Sequence, residues 1–108
     1  MQRLDLWQPL VRQAATEQDV VRIVREYLDL WPEDERASFP CKADPWTAHT
    51  RQHIAECAVD LARAELDFDG DEASRRKLKD VTTLFRDAVT RLGQLSQEAR
   101  LLGPQSED

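Results

Sequence analysis

The stretch Ser74–Leu102 reads SRRKLKDVTTLFRDAVTRLGQLSQEARLL, and its apolar positions decide the fold. Leu78, Val81, Phe85, Ala88, Leu92, Leu95, Ala99 and Leu102 follow one another at alternating spacings of three and four residues. A repeat that averages 3.5 residues keeps one stripe of an α-helix turned toward its neighbours over the whole length. The spacing predicts one long helix over residues 72–102, its seam segment about 45 Å long at 1.5 Å per residue. Leu84 and Val89 flank the seam and widen it beyond the strip of a two-stranded coil, toward the face of a bundle helix. Gly93 falls on the outer side, where it weakens the helix without ending it, and Gly103-Pro104 is expected to terminate it.

Working toward the N-terminus, Asp67-Phe-Asp-Gly-Asp71 reads as a short turn that makes the preceding helix the antiparallel neighbour of the last. That helix is expected over residues 44–66. Asp44-Pro45 supplies its cap and preorganised first residue, and Trp46, Thr50, Ile54, Cys57, Leu61 and Leu66 lie at helical spacing. A helix over residues 16–31 starts at the hydroxyl of Thr16 and stops at Pro32, with Val20, Val21, Ile23, Val24, Tyr27, Leu28 and Trp31 on its apolar face. A shorter one over residues 8–15 begins near Gln8-Pro9 and carries Leu10, Val11 and Ala14. Were the Thr16 cap not used, these two would merge and four helices would become three. Residues 32–44 form a long connection stiffened by Pro32, Pro40 and, at its end, Pro45. The expected architecture is an all-α, single-domain, up-and-down helical bundle.

The composition narrows the function classes. At 108 residues the chain holds one modest core, and 41% hydrophobic with 33% charged residues describes a folded rather than a low-complexity chain. A net charge of −6 has the wrong sign for holding a phosphate backbone, so no nucleic-acid partner is expected. No apolar run reaches the roughly 18–20 residues of a membrane span, and MQRLDLWQPL lacks the apolar stretch of a secretion signal. The expectation is a cytoplasmic protein with no membrane partner, its Cys41 and Cys57 held as thiols.

Three constellations bear on chemistry. His49, His53 and Cys57 recur every four residues on the expected helix, and imidazole with thiolate is a donor set for zinc; the competing reading is packing at the core edge. His49 or His53 would also be the acceptor in a histidine phosphotransfer-like domain, although neither has the His-x-Leu-Lys-Gly surroundings of such sites. The acidic turn after Glu65 fails as a calcium loop, because aligning Gly70 with the obligatory glycine places Arg76 where the closing carboxylate belongs. Finally, Trp7, Tyr27, Trp31, Phe39 and Trp46 cluster in the first half of the chain, either as an end layer of the core or as a partly exposed patch rimmed by Glu33, Asp34 and Glu35.

The sequence contains no nucleophile and base at a spacing that fixes catalytic geometry. The expectation is therefore a non-enzymatic interaction or regulatory protein that self-associates, with no cofactor, and with Trp31, Phe39, Trp46, Leu95 and Leu102 as candidate partner-binding residues. The motive is the length of the last helix: if it outruns its neighbours, the turns around Leu95, Ala99 and Leu102 need a cover, and a symmetric dimer is the commonest one.

Overall fold

In the computed structural model, the heptad stretch lies within the helix Glu72–Glu107, against which three shorter helices pack. The structure describes residues 4–34 and 45–107, with side chains followed as far as Ala99. Among the described residues the helices are α1 (Leu4–Arg12), α2 (Glu17–Asp29), α3 (Arg51–Asp67) and α4 (Glu72–Glu107), with a 3-10 turn at Pro45–Thr47. The architecture is an all-α bundle, without strands among the described residues. None of these helices is long and apolar enough to cross a membrane.

On α4, Leu78, Val81, Leu84, Phe85 and Ala88 have no exposed surface and Leu92 is nearly closed off, so the seam is the floor of the core. Thr82 is buried beside it because its hydroxyl donates to the Leu78 carbonyl at 2.7 Å, which satisfies the polar group within the helix. At the start of α4, the Asp71 carboxylate accepts the Ser74 amide at 2.9 Å, and hydrogen bonding with the Ser74 side chain, followed by this amide bond, lowers the Asp71 pKa. The guanidinium of Arg75 closes the α3–α4 turn from above, donating to the Phe68 carbonyl at 3.1 Å and lying 5.5 Å from the Phe68 ring centre. Contrary to expectation, Gly103-Pro104 does not stop the helix, which continues to Glu107. Proline removes one backbone donor, and the single carbonyl it orphans, four residues earlier, lies within a turn of carbonyls that lack partners at any helix end.

The other helix boundaries depart from the sequence expectation where two start signals compete. Pro45 does open a helical turn, with the Ala48 amide bonded back to its carbonyl at 3.2 Å, but that turn ends at Thr47. The continuous helix starts at Arg51, where extended Thr50 caps it by accepting the His53 amide at 3.2 Å. Leu66 is 86% exposed rather than buried: five residues beyond Leu61, it lies about 140° round the helix. Likewise α1 starts at Leu4, not near Gln8, and contains Pro9 at the cost of one backbone bond. Its inward face is Leu4, Trp7, Val11 and Ala14 just beyond, so Leu10, one position off that spacing, is half exposed. The Thr16 cap is used, its hydroxyl accepting the Asp19 amide at 3.1 Å, and this separates α1 from α2.

Polar contacts set the directions of the helices. Asp87 of α4 accepts from Gln8 at 2.8 Å and from Arg12 at 3.4 Å, and Arg91 donates to the Ala14 carbonyl at 2.9 Å, so α1 and α4 run the same way. Arg51 at the start of α3 pairs with Glu17 at the start of α2 at 3.5 Å, so α2 and α3 also begin at a common end. The chain returns to that end along α2. Trp46 donates its indole N–H to the Leu28 carbonyl at 2.9 Å, and one guanidinium nitrogen of Arg25 reaches the carbonyls of Trp46 at 2.9 Å and Ala48 at 3.2 Å. Trp46, Ala48 and Arg51 mark this return, while residues 35–44 of the long connection, with Phe39 and Cys41, lie outside the described residues.

Gly93 provides a clean check on the long helix. A Cβ built there meets nothing within 4 Å, so Gly93→Ala is expected to raise the stability by about 1 kcal/mol through helix propensity alone. Thermal or denaturant unfolding that leaves the midpoint unchanged would contradict a continuous helix through this residue.

Candidate functional site

Where α2 and α3 begin, α4 runs past them, and an open groove of about 740 Å³ is left between the three. Its floor is Leu92, Leu95 and Ala99 of α4. One wall is Ala15–Gln18 at the start of α2, and the other is Arg51 at the start of α3. Arg51 ties the walls to the floor: one guanidinium nitrogen donates to the Ser96 hydroxyl at 2.7 Å while another lies 3.5 Å from Glu17. Exposure rises steadily along the floor, from nearly closed Leu92 through half-buried Leu95 to exposed Ala99. The two hydroxyls of the lining each accept a hydrogen bond, Thr16 from the Asp19 amide and Ser96 from Arg51.

The aromatic residues go elsewhere. Trp7, Tyr27, Trp31 and Trp46 form a chain with ring centres 5.8, 6.4 and 6.3 Å apart, each pair edge to face. Such contacts contribute about 0.5–1.5 kcal/mol each beyond the area they bury. Trp31 is only 5% exposed, so it belongs to the core and is not presented to a partner, which corrects its assignment as a binding residue. Trp46 is half-buried and committed to Leu28. Phe39 and the side chain of Leu102 lie outside the described residues, and Leu95 is the member of the candidate set that lines the groove.

The zinc arrangement is not assembled. His49 precedes α3 instead of lying on it, His53 is exposed in the first turn, and Cys57 is buried a turn further on. The cause is the later helix start at Arg51, which removes His49 from the helical face its spacing implied. Among the described residues no three His, Cys, Asp or Glu side chains converge as a metal site. Sequence reasoning also missed Arg51, Glu17 and Ser96 as the residues that build the groove; the available signal was Thr50, a hydroxyl cap immediately before the apolar period of α3.

Comparison with protein-family models, curated proteins and solved structures finds no match for this chain. The assignment of function therefore rests on its own geometry.

Tyr27 reports whether the aromatic chain is as closed as described. Burial pushes its phenol up from 10.0 to about 12; the hydrogen bond with Trp31 opposes this and the charge of Asp80 adds to it. Because the folded-state value exceeds the ordinary one, Tyr27 favours folding fully below about pH 10, and that contribution is lost as pH rises through about 12. The chain has one tyrosine, so tyrosinate absorbance titrates it alone. A midpoint near 12 is expected, and an ordinary midpoint in the folded protein would show the ring to be open to water.

Proposed function

We propose that this protein is a non-enzymatic interaction protein, a helical bundle that self-associates through the end of α4 that outruns the other helices. One observation carries the reading: the stripe that is buried from Leu78 to Leu92 becomes half-buried at Leu95 and exposed at Ala99, while the helix itself runs on to Glu107 and its sequence repeats the spacing at Leu102. A stripe of this width that continues past its cover needs another surface to lie against. The buried thiol of Cys57, together with the acidic composition, supports a cytoplasmic setting.

Sedimentation velocity or light scattering at tens of micromolar, roughly the range of a specific but modest dimer, tests this. The expected result is a dimer that Ala99→Arg dissociates, weakening association at least tenfold while the melting transition stays in place, because a charge is buried in the contact but not in the bundle. A monomer at that concentration, or a dimer indifferent to Ala99→Arg, overturns it.

A further inference from the structure

On α3 the buried residues Ile54, Cys57 and Leu61 mark the side turned to the core. On the far side of the same helix runs a second apolar stripe, Ala55, Val59, Ala62 and Leu66, at spacings of four, three and four residues. Val59 is 53% and Leu66 86% exposed, and the two alanines are half-buried. This face is separate from the end of α4. We infer that it is a second, weaker self-association surface, on which α3 of another copy of this chain packs antiparallel.

The stripe fits its own reversed image. Antiparallel pairing about the midpoint between Val59 and Ala62 sets Val59 against Ala62 of the other copy and Ala55 against Leu66. Every layer then holds one methyl and one branched side chain, so the two helices stay evenly spaced. A parallel pair would stack Ala on Ala between Val on Val and Leu on Leu, layers too thin and too thick by turns.

Charge selects the same arrangement. Glu56 and Arg63 are both exposed and flank the stripe on one edge. Seven residues apart, about 10 Å, they do not meet along their own helix. The twofold axis of the antiparallel pair brings each within about 3 Å, measured along the helix, of its opposite in the other copy, so the two ion pairs form symmetrically. The contact within the chain that this displaces is weak, Gln52 donating to Glu56 at 3.4 Å. Asp60 and Asp67 stand further round, about 130° and 110° from the middle of the stripe, and the axis places the two Asp60 between the two Arg63. On the other edge Glu65 comes level with Ala58 of the other copy. In a parallel pair Arg63 would face Ala58, and Glu56 would be left to Arg51, which Glu17 and Ser96 already hold. The stripe is about 16 Å long, short of a standard interface, so pairing belongs to roughly hundreds of micromolar rather than tens.

Sedimentation equilibrium of the full chain carrying Ala99→Arg, which removes the α4 contact, isolates this surface. A reversible dimer is expected at roughly several hundred micromolar. Val59→Arg is expected to weaken it at least about tenfold, by placing a charge in the apolar contact, and Arg63→Glu alone at least about threefold. Glu56→Arg combined with Arg63→Glu is expected to restore the dimer to within about twofold, because the ion pairs re-form with their signs exchanged. Val59, Glu56 and Arg63 are exposed, so the melting transition of each variant is expected to stay in place. A monomer up to about 1 mM leaves the face to a different partner and overturns the pairing. So does a dimer indifferent to Val59→Arg, or a double exchange that associates no better than Arg63→Glu alone. A dimer that survives Ala99→Arg at tens of micromolar but not Val59→Arg supports this surface while overturning the one on α4.

Discussion

Every helix of this protein is held by one stripe of α4. Leu78, Val81, Leu84, Phe85 and Ala88 are fully buried, the four larger side chains worth roughly 1.5–3 kcal/mol each and the Ala88 methyl about 0.8 kcal/mol by the area removed from water. The ion pairs around them contribute far less: Arg12 with Asp87, largely solvated on the arginine side, belongs to a class worth under about 1 kcal/mol. The apolar stripe therefore supplies the energy, and the polar contacts select among the ways of covering it. Gln8 and Arg12 on Asp87 and Arg91 on Ala14 set the direction of α1; Arg51 on Glu17 and Ser96 brings the starts of α2 and α3 together.

The chain covers this stripe with helices of 9, 13 and 17 residues, against 36 in α4. That mismatch of lengths makes the molecule elongated, 56 Å along its main axis and 25 by 21 Å across. It also leaves an open groove at one end, beside the starts of α2 and α3. At the opposite end, the edge-to-face chain of Trp7, Tyr27, Trp31 and Trp46 completes the core, and Arg25 fixes the returning connection by its carbonyls. The aromatic residues, which invite a functional reading from composition, are thus consumed by packing. The groove at the other end is lined by less conspicuous residues, aliphatic and polar ones together with Glu17, Glu98 and Arg51.

The legibility of each part in the sequence follows from how local its cause is. The long helix, the cap at Thr16 and the close of α2 before Pro32 were readable, because spacing, a side-chain oxygen and a ring lacking an N–H act within a turn of themselves. The start of α3 was not, since Pro45 and Thr50 are both valid start signals and only the return along α2, held by Arg25 and Trp46, separates a one-turn 3-10 segment from the helix proper. That one displacement of a boundary dissolved the His49, His53 and Cys57 face.

By itself, the order of residues determined that the chain is all-α and that its C-terminal third is one rod with one oily side, because helix period and hydrophobic spacing are properties of a continuous segment. Which part of that side stays covered was decided only by the tertiary structure. Coverage depends on where three other helices begin and end against the rod, and those positions are set by contacts between residues as distant as Arg51 and Ser96, or Ala14 and Arg91, that no local pattern encodes.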